Sequence, residues 1–385
     1  MEKLKYSVVV TDVNSRKGFD VLNIIKNRYK YPTILTSDKD FNFQLPLIYG
    51  RQIHRLRYDN LDNFERDIIA IEKKIEGILI YLPVSEKVTR YFIQLFQQNR
   101  LSRRWKFILP DLNTFNLTSD KWEFQKFCEE NKHPVPKSII KATYNKLKDS
   151  FRPVVLKPKS GQGSVGIKYF RKIEDLPKLS EIDWNKYLLQ EKITSNRKVA
   201  GAFFLRHKNK ILSEYCHQRI RIFPPEGGVT VYSSSVIYPE ILNTGRKLLD
   251  DLNWEGLAMI EFMFDEPTKS WRIIELNPRI WGSVLLSAFN NSMMLHHYVE
   301  SSLGAQVSIV DAIQTRRVNI RWLFPFDLLA FLKGKLSMQE FFKLNLKNTC
   351  YVNFTYSSLL KSLLFLFYFF INLASIKRFI KKIRK

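Results

Sequence analysis

Three oxygen-bearing side chains, Glu261, Glu275 and Asn277, fall on two strand-like runs that a turn would fold against each other. Residues 256–282 read GLAMIEFMFDEPTKSWRIIELNPRIWG, with the turn at 265–270. Glu261 lies inside an apolar strand, where an ionised carboxylate is rarely buried without a partner. Glu275 and Asn277 are two residues apart on the next strand and so face one side. If the runs pair, two carboxylates and an amide oxygen converge. That donor set suits Mg2+, with phosphate oxygens completing the shell. The alternative is ion pairing of Glu261 and Glu275 with Arg272 or Arg279. No His/Cys cluster competes for zinc. Cys128, Cys216 and Cys350 lie far apart, form no disulfide framework, and are expected as small buried residues in a reducing compartment.

A second candidate is the glycine-rich run PVVLKPKSGQGSVGIKYF at 153–170. Gly161, Gly163 and Gly166 fit G-x-G-x-x-G, but a strand-like segment follows where a Rossmann fingerprint would open a helix. Ile167 after Gly166 excludes a Walker A loop, and the H-R-D and D-F-G motifs of protein kinases are absent. The glycines therefore sit in a β-hairpin. Such a hairpin can close over phosphates with its backbone N–H groups, with Ser164 adding a hydroxyl and Lys157 a cation. The alternative is an ordinary surface hairpin. Arg219 and Arg221, two apart in Tyr215-Cys-His-Gln-Arg219-Ile-Arg221, share one strand face on a regular strand. They offer guanidinium forks for a carboxylate or phosphate, or else form a basic exposed face.

These residues need a scaffold. Strand-like runs at 6–10, 33–35, 77–82 and 106–109 alternate with helical patterns at 16–29, 61–75 and 85–99. This predicts a parallel sheet with covering helices over about the first 110 residues. The first turn, Thr11-Asp-Val-Asn-Ser-Arg16, has no glycine cluster, which excludes an ordinary dinucleotide site. Pro110 and the polar stretch 111–119 read as a boundary. Asp120 then caps a helix running to about Asn131. Strands follow at 153–157, 166–170, 187–193, 199–206, 210–223, 229–237, 256–264 and 271–277, with a helix at 240–252. At the C-terminus residues 362–371 are nearly all apolar, and Lys377, Arg378, Lys381, Lys382, Arg384 and Lys385 follow.

The chain has 385 residues, enough for two or three domains at about 100–200 residues each. Its 62 Lys and Arg against 37 Asp and Glu leave 62 − 37 = +25, an attraction for nucleotides, acidic lipid or nucleic acid. No RNP-type aromatic pattern or zinc finger supports a nucleic-acid-binding protein, so no nucleic acid is expected as a partner. The N-terminus lacks the apolar stretch of a secretory signal, so a cytoplasmic location is expected.

The order of these parts resembles the ATP-grasp superfamily of carboxylate–amine (or thiol) ligases. The resemblance spans roughly residues 1–325. It comprises the βαβ domain, Asp120-Lys121, Lys157-Pro158, the glycine hairpin, Leu189-Gln-Glu-Lys-Ile193, Glu261, and Glu275-Leu-Asn277-Pro-Arg279. The run Glu275 to Ser283 and Arg321-Trp322 look closest to bacterial members with carbamoyl-phosphate-synthase-like ATP lobes. The resemblance implies an α/β ATP-grasp fold: a parallel-sheet domain at 1–115, a small lobe with the lid hairpin at 116–190, and a large lobe with the metal strands at 191–325. A helical region with an apolar and basic tail would occupy 326–385.

The resemblance also implies roles. Lys121 and Lys157 would hold ATP phosphates, with Gly161, Gly163, Ser164 and Gly166 as the lid. Gln190, Glu191, Lys192 and Ile193 would be the hinge that reads the adenine edge. Glu261, Glu275 and Asn277 would hold one or two Mg2+, or Mn2+. Arg279 would stabilise the substrate carboxylate and its acyl phosphate, and Arg219 and Arg221 would lie near the substrate. The hinge departs from the family pattern where Ile193-Thr-Ser-Asn-Arg197 replaces Ile-x-Gly. The implied activity is ADP-forming ligation of a small carboxylate to an amine, in preference to a thiol. A rival reading is a non-catalytic ATP-binding sensor or scaffold at a membrane. The tail is expected to attach the protein peripherally to an anionic membrane on its cytoplasmic face, or alternatively to pack on the protein body.

Overall fold

The computed structural model describes residues 5–38, 48–50, 52–148, 151–159, 166–195, 198–223 and 229–371. The first sheet is formed by β1 (Tyr6–Val10), β2 (Thr33–Ser37), β3 (Ile53–Arg55), β4 (Ile78–Tyr81) and β5 (Trp105–Lys106). All its pairings are parallel and the order is β3-β2-β1-β4-β5. The expected helices appear between strands. Leu61–Lys74 buries Phe64, Ile68 and Ile71, and Glu86–Gln97 buries Val88, Phe92 and Leu95. Each set follows the i, i+4, i+7 spacing of one helix face. The strand order reverses between β1 and β4, so their following loops open into one crevice.

The stretch expected as a boundary holds a helix, Leu112–Ser119. The Asp111 side chain accepts from the amides of Asn113 and Thr114, and only Phe115 and Thr118 of the helix are buried. A stripe of two residues leaves little periodicity in the sequence. Next comes Lys121–Glu130, capped as expected by Asp120 accepting from Trp122 and Glu123. The second sheet contains β6 (Ser138–Ile139), β7 (Val154–Pro158), β8 (Lys168–Phe170) and β9 (Tyr187–Glu191), in the order β6-β9-β7-β8. It has its own core of Ile139, Tyr144, Leu147, Val154, Leu156, Ile182 and Leu189.

The third sheet takes the rest: β10 (Val199–His207), β11 (Lys210–Phe223), β12 (Val229–Val236), β13 (Gly256–Asp265), β14 (Ser270–Asn277), β15 (Asn319–Arg321) and β16 (Thr349–Tyr351). Their order is β14-β13-β10-β11-β12-β15-β16, antiparallel except for the last pair. Strand alternation gives this sheet two different faces. Ala202, Phe204, Ala258, Ile260 and Phe262 pack with Ile241, Leu242, Leu248 and Leu249 of helix Pro239–Asp251. On the opposite face Phe203, Leu205, Tyr215, Leu257 and Met259 join Val8, Val10, Ile80 and Leu82 of the first sheet in one core. The first and third sheets are thereby one packed body.

The expected apolar C-terminal run forms a helix, Leu359–Ile371. Phe365 stacks on Phe19 at 4.2 Å between ring centroids, and Ser362 Oγ donates to the Asn353 carbonyl at 2.6 Å. Its 13 residues would reach only about 20 Å against a hydrocarbon core of about 30 Å. Among the described residues no helix is long and apolar enough to cross a membrane. Residues 372–385, with the six basic side chains, lie outside the described residues.

One buried hydroxyl ties helix Met294–Ser302 to the first sheet. Tyr298, in helix Met294–Ser302, accepts from the Ile108 amide and donates to the Tyr81 carbonyl, both at 3.1 Å. Tyr298→Phe keeps the shape but strands both backbone groups. It is expected to lower stability by about 1–3 kcal/mol, read as a lower urea midpoint at unchanged slope. An unchanged midpoint would mean that water satisfies those groups.

Candidate active site

On β13 and β14 Glu261 stands directly opposite Glu275, and Met259 opposite Asn277. The two carboxylates are therefore cross-strand neighbours, with Asn277 beside Glu275 on β14. Burial raises the Glu261 pKa, with Glu275 pushing the same way and Arg219 and Lys157 opposing. Asn277 Nδ2 donates to Glu275 Oε1 at 3.0 Å, and Arg279 donates to Asn277 Oδ1 at 2.9 Å. The Arg279 Nε is buried with no partner among the described residues.

The cation on Glu261 is Arg219, rather than the Arg272 or Arg279 weighed from sequence. In register, Gly201 of β10 separates His217 of β11 from Glu261 of β13. A Cβ at Gly201 would stand 3.0 Å from both His217 Nε2 and Phe203 Cζ. The missing side chain makes room for the His217 and Phe203 rings, while Arg219 reaches from β11 to Glu261 on β13. Arg221 goes elsewhere: it pairs with the fully buried Asp327, which Arg321 shares. Register shifts on both sides of Arg221 interrupt the strand alternation, so the two arginines do not form one fork.

Lys157 ends β7 on the second sheet and is buried. Burial pulls its pKa down to about 8, opposed by Glu275 and Glu261 and reinforced by Lys121. Lys157 of the second sheet thus lies within electrostatic reach of Glu275 and Glu261 of the third. Gly166 has φ +80°, a left-handed conformation suited to glycine, and a Cβ there would meet Pro158 Cγ at 3.0 Å. Gly161, Gly163 and Ser164 lie outside the described residues. In the hinge, Gln190 is buried and donates to Gln125 Oε1 at 2.6 Å. The amides of Glu191 and Lys192 donate to the carbonyls of Lys137 and Pro153 at 3.0 and 2.8 Å.

Two carboxylates and an amide oxygen beside a bound guanidinium fit a hard divalent cation whose remaining ligands are phosphate oxygens. Among the described residues no group of three or more His, Cys, Asp or Glu side chains could hold a metal.

Sequence reasoning missed four residues. The segment after Asn277 docks on the crevice of the first sheet: the Ile280 amide donates to the Pro83 carbonyl at 2.7 Å, and Lys17 Nζ donates to the Ile280 carbonyl at 3.0 Å. Burial, then Arg279, holds the Lys17 pKa well below the lysine range, while Asp12 and Glu86 oppose. Burial raises the Asp12 pKa. Asp12, Lys17 and Glu86 thus extend the polar row of Asn277 and Arg279 onto the first sheet. The fourth is His217, whose pKa burial and Arg219 bring down to about 3 and whose Nε2 has no partner among the described residues. The available signal was Asp12 at the end of β1, beside the strand-order reversal where open α/β sheets bind ligands.

Residues 118–283 match the ATP-grasp domain family. Among curated proteins none matches the sequence. Several solved structures share the fold. The biotin carboxylase domain of Hydrogenobacter thermophilus 2-oxoglutarate carboxylase, solved with MgADP, ADP and bicarbonate, matches with TM-score 0.62 at 15% identity, over 83% of this chain and 73% of that one. An L-amino acid ligase from Bacillus licheniformis matches with TM-score 0.57 at 13% identity, over 79% and 76%. Rhizobium etli pyruvate carboxylase matches with TM-score 0.59 at 14% identity over 79% of this chain, which spans only 29% of that protein. At these identities the likeness is one of fold.

The lowered Lys157 pKa makes a pH dependence testable. The folded protein holds this proton less tightly than the unfolded chain. The residue therefore costs stability below about pH 8, and the cost fades as pH rises toward 10.5. Phosphate binding favours the charged ammonium. Nucleotide affinity is expected to fall by up to about ten-fold per unit above about pH 8, and Lys157→Ala to bind weakly with a flat profile. Calorimetric titration of ADP across that range checks it, and a flat wild-type profile would remove Lys157 from the phosphates.

Proposed function

We propose that this chain, a member of the ATP-grasp superfamily, is an ATP-dependent ligase that transfers the γ-phosphoryl group of ATP to a substrate carboxylate and joins the resulting acyl phosphate to an amine. ADP leaves after the first step and phosphate after the second. The observation that carries this reading is the meeting of Glu261, Glu275 and Asn277 on one sheet with Lys157 on another. Lys157 and Lys121 hold the phosphates, and the hairpin containing Gly161, Gly163, Ser164 and Gly166 covers them. The hinge at Gln190 to Ile193 reads adenine through its backbone. With the amides of Glu191 and Lys192 engaged, the Glu191 carbonyl and the Ile193 amide take that role.

Glu261, Glu275 and Asn277 hold Mg2+, which when bound offsets charge on the transferring phosphoryl oxygens. Arg219, the counterion of Glu261, would stand beside the bound cation and offer its remaining N–H groups to the substrate. Arg279, with an unpartnered Nε, orients the substrate carboxylate. The crevice with Asp12, Lys17 and Glu86 carries both signs of charge, which suits a small molecule bearing both carboxylate and ammonium. The printed name of the Bacillus licheniformis ligase is consistent with such a substrate. Residues 1–115, 116–190 and 191–325 would be the corresponding domain and lobes, with 326–371 adding helices and, through β16, a strand to the third sheet. A module that merely binds ATP has no need of the full carboxylate and amide set.

Products decide the chemistry. ADP and phosphate are expected only when acid and amine are both supplied, and release of AMP and pyrophosphate would replace the acyl phosphate by an adenylate. Glu275→Gln is expected to cut turnover by about 100-fold or more while nucleotide affinity changes far less, because the cation acts mainly on charge that develops during transfer. Equal losses in both would make Glu275 a binding residue only.

A further inference from the structure

Helix Leu359–Ile371 is apolar on both sides, yet only one side is covered. At 3.6 residues per turn, Leu359, Leu360, Leu363, Leu364, Phe367 and Ile371 fall within an arc of about 140°, and all six are exposed. Buried Ser362, Phe365, Leu366 and Tyr368 lie on the other side. A helix apolar all round is normally buried all round, and a contiguous exposed apolar stripe marks an interaction surface. Eighteen large apolar side chains stand exposed among the described residues, and eleven of them fall between Leu332 and Ile371. The others in this segment are Leu332, Met338, Phe342, Leu344 and Leu346, interleaved with exposed Lys333, Lys335, Lys343 and Lys347.

Charge selects the occupant. From Leu328 to the end of the sequence stand eleven basic residues and one acidic residue, Glu340. Six of the eleven follow the helix directly, at 377–385. A second copy would set these like charges against each other. Nucleic acid would meet the cations but leave the Leu and Phe stripe uncovered. We propose that this C-terminal segment seats the protein on an anionic lipid surface, with the outer stripe of the helix entering the headgroup–acyl boundary and the exposed Lys333, Lys335, Lys343 and Lys347 on the headgroups. The helix is too short to span and its inner face is held by Phe19, so it lies along the interface. This seating is independent of the ligase chemistry.

Co-sedimentation of the full chain with vesicles of phosphatidylcholine, alone or mixed with phosphatidylserine, tests it. Partition onto the anionic vesicles is expected to exceed that onto neutral ones by about ten-fold or more and to fall with added salt. Leu363→Glu with Phe367→Glu is expected to lose about ten-fold of that partition while keeping the thermal transition, since both side chains point outward. Lys381→Glu with Lys382→Glu, which leaves the helix intact, is expected to weaken it as well. Equal partition of wild type and both variants, or retention of wild type in the supernatant, overturns the proposal. It is equally overturned by an oligomer that Leu363→Glu with Phe367→Glu dissociates, or by RNA binding, when wild type binds no vesicles.

Discussion

Two carboxylates set side by side on neighbouring strands repel, and much of the surrounding structure offsets that repulsion. Glu261 and Glu275 are a cross-strand pair in a largely buried position. Like charges directly opposite destabilise a sheet. Arg219 answers from β11 and Lys157 from a different sheet. Removing one partner of such a buried pair leaves an uncompensated charge, a loss of about 3–5 kcal/mol. The fold holds a position that demands a cation and fills it with side chains.

The third sheet makes this arrangement possible by changing character along its length. On the face toward the first sheet, β13 passes from Leu257 and Met259, both in the core, to Glu261. β11 passes in the same way from Tyr215 to His217 and Arg219. One end of the face is a joint between sheets, and the other is a charged floor. The opposite face is apolar at its centre under helix Pro239–Asp251, with the Arg206–Asp250 and Glu214–Arg246 ion pairs at its margin. A shift of register by one residue would bury the floor and expose the joint.

Much of this was legible in the sequence where periodicity was strong. The β13–β14 hairpin, the Asp120 cap and the helices over the first sheet follow from alternation, a capping residue and i, i+4 spacing. Short elements such as β3, β6 and Leu112–Ser119 were not legible, because two or three residues carry no period. Contacts at long separation were equally invisible. Arg219 is 42 residues from Glu261, and Arg221 is 106 from Asp327. A bulge, which sequence alternation does not register, separates the fates of the two arginines. Lys17 and Ile280 meet only because two sheets share a core.

The stitching of Ile280 to Pro83 and Lys17 has a mechanical corollary. It rivets the exit of β14 to the first sheet, and the shared core welds those two sheets into a stationary anvil. The β6–β9 sheet keeps a separate core and projects Lys157 from one strand end. A separate core lets it shift as one unit. Any such shift would alter the gap between Lys157 and the two carboxylates without reshaping the row of Arg279, Lys17 and Asp12.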